Sequence, residues 1–198
     1  MKFIISAFTH KGTVRDSNQD CILVNGQLLN VGQVHLTEQV DCFCFVADGV
    51  GGNKGSDFAS HFVLDRIKVE QNNLLMDAEQ LLKKINHKLI EDTNNDIKLK
   101  GCCTTLTGLL VLNGFFKIIH AGDSEMWLLR NDMFFKITND HVLNESEKNS
   151  SITSYFGGHE HYLKLDKDIK TKAQKRLENC LQAGAEDNIS VILIHQSN

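Results

Sequence analysis

The chain has 198 residues, 41% of them hydrophobic and 23% charged, with a formal net charge of −4. That size and balance predict a single globular domain over 1–198, with one sizeable core and no linker. The acidic balance and the lack of a dense Lys/Arg run exclude the electrostatic footprint of a nucleic-acid binder, and no apolar stretch reaches membrane-spanning length.

Met1 to Phe8 carries one lysine and no small-residue cleavage site after its short apolar stretch, and reads as a first strand rather than a signal peptide. Asp41 to Ala47 (DCFCFVA) is an apolar run ending at Asp48-Gly49, which predicts a buried strand delivering a carboxylate into a loop. The following GVGGNKGS is not a nucleotide-binding loop, because the order is Lys54-Gly55-Ser56 rather than Gly-Lys-Ser/Thr. Gly51 and Gly52 there suit a close backbone approach or a tight turn. Phe58, Ala59, Phe62, Val63 and Ile67, then Ala78, Leu81, Leu82, Ile85 and Leu89, recur with helical spacing and predict two amphipathic helices covering a sheet.

From Thr105 the pattern is strand-like. TLTGLLVL and FFKIIH flank Asn113-Gly114, the strongest short hairpin signal, and MWLLR and MFFKI flank Asn131-Asp132. Together they predict an antiparallel meander with Gly122-Asp123 in its middle connection. Ala173, Leu177, Cys180 and Leu181 mark another helix, and Ile189 to Ile194 a last strand. The order predicts an α+β layering in which helices cover antiparallel sheets. The six cysteines include Cys42, Cys44, Cys102 and Cys103, which lie in strand-like runs, so reduced, buried thiols and a cytoplasmic location are expected.

Four acids stand where a predicted strand meets a loop: Asp20, Asp48, Asp123 and Asp187. Any one alone reads as a turn-former. Gathered at one end of a sheet they would repel one another unless cations neutralised them, and hard oxygen ligands of this kind suit Mg²⁺ or Mn²⁺. The bland alternative for Arg15 is a surface ion pair with Asp16.

Five blocks surround these residues: Gly12-x-x-Arg15-x-x-Asn18-Gln19-Asp20, Val46-Ala47-Asp48-Gly49-Val50-Gly51-Gly52, Gly101 to Thr105, Ala121-Gly122-Asp123-Ser124 with Thr138-x-Asp140-His141, and Glu186-Asp187-Asn188-Ile189-Ser190-Val191. In order and spacing they resemble the metal-dependent type 2C protein phosphatase family in its bacterial form. The resemblance implies an antiparallel β-sandwich flanked by α-helices, a four-layer α-β-β-α fold, with two Mn²⁺ or Mg²⁺ ions at one end. It implies that Asp48 bridges both ions and Gly49 offers its carbonyl, that Asp187 and Asp20 are further ligands, and that Asp123 helps hold an additional, weaker ion. Arg15 matches the phosphate-binding arginine, whose planar fork suits two phosphate oxygens. The implied reaction is hydrolysis of phosphoserine or phosphothreonine in a protein substrate, within a kinase-regulated pathway, by solvent activated between the ions.

The chain also departs from that family. Val50 stands where some relatives carry a histidine, and Asp140 with His141 reads as a loop-fixing pair. His159 and His161 read as solvated side chains. Relatives carry a Ser-Asp-Gly strand end before the last block, whereas this chain has no second Asp-Gly; Asp166, with Asp168 behind it, is the substitute expected for that ligand. If no residue replaces it, the alternative is a catalytically weak or inactive pseudophosphatase that binds phosphoproteins.

Overall fold

The structure is a computed structural model and describes residues 2–50, 55–144, 151–158, 163–164 and 187–197. The strands are β1 (Lys2–His10), β2 (Cys21–Val24), β3 (Gln27–Leu29), β4 (Gly32–Gln39), β5 (Cys42–Ala47), β6 (Gly49–Val50), β7 (Cys103–Thr104), β8 (Leu106–Leu112), β9 (Phe115–Ala121), β10 (Trp127–Arg130), β11 (Met133–Lys136), β12 (Phe156–Gly157) and β13 (Ile189–Ser197). Between β6 and β7 lie α1 (Ser56–Val69), α2 (Gln71–Met76) and α3 (Ala78–Asn94).

Two antiparallel sheets face each other. One has the order β3-β2-β5-β8-β9 and the other β13-β1-β4. Phe3, Ile5 and Ala7 of β1 pack between them against Ile22, Val24, Cys42, Cys44 and Val111, with Ile192 and Ile194 of β13 at the margin. The opposite face of the five-stranded sheet, including Leu23, Phe45, Leu106 and Ile119, packs under Val63, Leu64 and Ile67 of α1 and Leu82, Ile85 and Leu89 of α3. β2 is therefore covered on both faces and reads as the unbroken apolar run Cys-Ile-Leu-Val, every residue buried. These helices and the two sheets are three of the four expected layers. The helix expected around Ala173 to Leu181 lies outside the described residues, as does Cys180.

The hairpin signals hold. Asn113 and Gly114 have φ of 50° and 80°, and Asn131 and Asp132 have 53° and 58°, so both turns run through the left-handed region. Asn25-Gly26, at 44° and 85°, makes a third such turn between β2 and β3. The meander is interrupted, however. β8 and β9 belong to the large sheet, whereas β10 and β11 form a separate two-stranded sheet. The chain breaks away at Gly122, whose φ is 120°, and the hydroxyl of Thr107 holds the Ser124 carbonyl in the new direction.

Three helices stand where two were expected, because the short α2 is set off between α1 and an Asp77 that caps α3 by accepting from the Gln80 amide at 3.0 Å. The first and last strands run beyond their predicted ends, to His10 and Ser197. Cys21, Cys42, Cys44, Cys102 and Cys103 are free thiols, all buried except the half-buried Cys103. No helix among the described residues is long and apolar enough to cross a membrane.

Gly108 is paired with Phe45, and a Cβ there would meet the Phe45 ring at 1.9 Å. Phe45 is fully buried and has no room to yield. Gly108→Ala is expected to cost about 1–3 kcal/mol, measured as a lowered urea midpoint with an unchanged slope.

Candidate active site

Strand register, rather than any local motif, brings the acids together. Cys21 pairs with Ala47, so the residues just outside that pair, Asp20 and Asp48, are neighbours at the same end of the sheet. Leu106 pairs with Ala121, which carries Gly122 and Asp123 to that end as well. In the second sheet His10 pairs with Ile189, placing the turn holding Arg15 beside Asp187.

The loops are fixed by hydrogen bonds from side chain to backbone. The Asp48 amide donates to the Thr105 hydroxyl at 3.1 Å, and the Asp48 carbonyl accepts from the Thr105 amide at 2.9 Å and from the Thr104 hydroxyl at 2.8 Å. Thr105 also contacts the Ser124 hydroxyl at 2.7 Å, tying the Asp48 loop to the Asp123 loop. A Cβ on Gly49 would lie 2.5 Å from the Ser56 carbonyl and 2.7 Å from that of Gln19, so only glycine lets these backbones close around Asp48. His141 bonds Gly122 twice, its amide donating to the Gly122 carbonyl and its Nδ1 accepting from the Gly122 amide. That is the loop-fixing part expected of it. Asp140 does not complete the pair; it lies 2.7 Å from the Lys136 ammonium, which also bridges to Glu125.

Asn188 closes the site from the C-terminal side. Its carboxamide oxygen accepts from the Gln19 amide at 2.9 Å, and its nitrogen donates to the carbonyls of Lys11 and Ser17. The Ser190 hydroxyl donates to Asp20 Oδ2 at 2.6 Å. The blocks containing Asn188 and Ser190 are visible in the sequence, but these bonds are not, because nothing local tells which distant loop a polar side chain will hold.

Electrostatically the site favours positive charge. Burial, then the charges of Asp20, Asp123 and Asp187, pushes the Asp48 carboxyl up to about 7. Burial raises Asp20 too, against the Ser190 hydrogen bond and a side-chain interaction with Asp48, and Asp123, where Asp140 and Glu125 add to the effect and Lys136 opposes it. Asp20 Oδ1 is buried without a hydrogen-bond partner. An orphaned carboxylate oxygen among other acids is a donor set suited to a hard cation. Even so, among the described residues no three His, Cys, Asp or Glu side chains already converge into a closed metal-holding group.

Arg15 pairs with Asp187, not with Asp16: Nη2 stands 2.9 Å from Oδ2, at a largely exposed position. The guanidinium thus occupies the expected ligand Asp187 and lies within reach of the acidic end. Asp166, Asp168, Gly51, Gly52, His159 and His161 lie outside the described residues.

A family model described as protein phosphatase 2C matches residues 26–156, more than half of the chain. The chain belongs to the protein phosphatase 2C family. The serine/threonine phosphatase Stp of Listeria innocua is 26% identical over 144 residues, a match covering 68% of this chain and 53% of that protein. The chain spans about half the length of the curated relatives it matches. Among solved structures, the Mycobacterium tuberculosis phosphatase PstP/Ppp superposes with a TM-score of 0.73 at 18% identity, covering 100% of both chains. A catalytic domain of the phosphatase PstP in complex with two manganese ions gives 0.67 at 17% identity, covering 97% and 98%. These superpositions confirm the α+β fold of the protein phosphatase 2C domain.

The raised carboxyl of Asp48 has a sign. Its proton is held more tightly in the folded chain than in the unfolded one, so folding is favoured at low pH. The metal-free protein loses that stability as pH rises from the ordinary value of 3.8 towards about 7. Asp48→Asn is expected to raise the melting temperature in EDTA near neutral pH and to flatten its fall across that interval, as followed by circular dichroism.

Proposed function

We propose that the chain is a metal-dependent phosphatase acting on phosphoserine and phosphothreonine in proteins. The observation that carries this reading is that register brings Asp20, Asp48, Asp123 and Asp187 to one end of the sandwich, within electrostatic reach of Asp48, with the guanidinium of Arg15 paired to Asp187. The family membership supports it, and so does the two-manganese complex of the structural relative.

Asp20, Asp48, the Gly49 carbonyl and Asp187 would hold two divalent ions, Mn²⁺ or Mg²⁺, and Asp123 would contribute to an additional, weaker one. Bound there, divalent cations supply a lowered pKa for solvent and charge neutralisation for a phosphoryl group. The protein's part is to place that chemistry. Asp48 is held by its own backbone bonds to Thr104 and Thr105, and the interlocked glycine beside it keeps the loop from relaxing. Arg15, at 2.9 Å from Asp187, would offer two parallel donors to the phosphate of a substrate. The free thiols fit a reducing compartment, and we place the protein in the cytoplasm, within a kinase-regulated pathway.

A second reading rests on one specific observation: the sequence has a single Asp-Gly, so the family's Ser-Asp-Gly ligand is missing. In that reading the protein binds phosphoproteins and hydrolyses them slowly or not at all, unless Asp166 replaces the ligand.

Hydrolysis of p-nitrophenyl phosphate and a phosphothreonine peptide, measured with Mn²⁺, Mg²⁺ or EDTA, separates the two. Metal-dependent turnover that disappears in Asp48→Asn is the expected outcome, and its loss in Asp166→Asn would identify the replacement ligand. Folded protein with no turnover at any metal concentration, yet able to bind the phosphopeptide, would instead establish the second reading. In the active enzyme, Arg15→Ala is expected to lower kcat/KM by about 10- to 100-fold, the value of a charge-assisted hydrogen bond of roughly 1.5–3 kcal/mol.

A further inference from the structure

We infer that Thr9 and Ser190 are positioning residues that aim Asp20 at the cation site through a directed line of hydrogen bonds starting at Asn18. This rests on the metal-centre reading above and adds to it a supporting layer drawn from both ends of the chain.

The direction of each proton follows from its neighbours. The Asn18 carboxamide nitrogen lies 2.7 Å from Thr9 Oγ1 and 2.6 Å from the Asn30 carbonyl, while its oxygen accepts from the Asp20 amide at 3.2 Å. A carbonyl can only accept and an amide N–H only donates, so the orientation of the Asn18 side chain is fixed. Asn18 therefore donates to Thr9. Ser190 has one hydroxyl proton, and it goes to the carboxylate at 2.6 Å. The remaining 2.9 Å contact between Thr9 and Ser190 must then have Thr9 as donor. The line runs one way, from Asn18 to Thr9 to Ser190 to Asp20 Oδ2.

Its effect is asymmetric. Oδ2 is bound by a short, charge-assisted hydrogen bond, whereas the buried Oδ1 has no hydrogen-bond partner. Thr9, Asn18 and Asp20 are 1%, 7% and 5% exposed, and Ser190 is half-buried. Anchored through Oδ2, the carboxylate keeps Oδ1 on the side of Asp48, where a cation shared with that acid would bind. Outer-layer partners of this kind typically change metal affinity by about 10- to 100-fold.

The test is Mn²⁺ binding by calorimetry on the full chain, with circular dichroism to establish that each variant is folded. Ser190→Ala is expected to weaken Mn²⁺ binding by about 10- to 100-fold, and Ser190→Thr, which keeps the hydroxyl, to restore it. In an Asp20→Asn background, Ser190→Ala should add little further loss, since the serine acts through that carboxylate. A folded Ser190→Ala protein that binds Mn²⁺ like the parent overturns the inference, as does an undiminished loss in the Asp20→Asn background. If Ser190→Ala does not fold, Thr9→Val takes its place: weakened binding supports the line of bonds, and unchanged binding overturns it. A parent that binds no Mn²⁺ at all overturns the metal-centre reading itself, an outcome distinct from a parent that binds and variants that match it.

Discussion

Mutual repulsion among carboxylates is the constraint on which this architecture turns. Asp20 is buried, Asp48 and Asp123 are half-buried, and the charges of Asp20, Asp123 and Asp187 all disfavour ionisation of Asp48. Left to themselves these groups would splay outward into water, where their charges are screened. The fold prevents this by making each acid the continuation of a strand end whose register is already fixed by apolar packing. Two-sided burial of β2 and β5 supplies the energy that keeps Asp20 and Asp48 adjacent, and Thr104 and Thr105, just before β8, hold the Asp48 backbone.

The same constraint explains where polar side chains are spent inside the protein. Thr104, Thr105, Thr107 and Ser60 are buried hydroxyls that bind loop carbonyls, amides or another hydroxyl around the acidic end. Each would be a liability in an ordinary core. Here they replace the secondary-structure hydrogen bonds that loops lack. Arg15 occupies the remaining position, a movable positive charge beside the most exposed acid, Asp187.

Much of this was legible in the sequence, for identifiable reasons. Asn113-Gly114 and Asn131-Asp132 announce their turns because few residues tolerate left-handed backbone. The run Cys42 to Ala47 announces a buried strand, and the helical spacing of α1 and α3 is set by the apolar faces they bury. The acids Asp20, Asp48, Asp123 and Asp187 could be picked out because each follows or precedes such a run. β4 was not legible: GQVHLTEQ pairs at a sheet edge with mixed exposure, and its alternation is too weak to separate it from a loop. The partner of Arg15 is not legible: proximity along the chain offers Asp16 as the alternative, whereas the β1 to β13 ladder brings Asp187 beside it. Thr9 carried no signal at all, since a threonine inside a strand is normally there for its shape.

That ladder has a consequence in time. Nine residue pairs join β1 to β13, and they connect the first described residues to the last. Asp187, Asn188 and Ser190 follow Asp20 and Asp48 by well over a hundred residues of synthesis. At about 5–20 residues per second, the early acids wait on the order of 10 s for the segment that completes their surroundings. During that interval the nascent chain has β2 and β5 but lacks Asp187 and the hydroxyl that anchors Asp20. The acidic centre is completed by the same pairing that closes the second sheet.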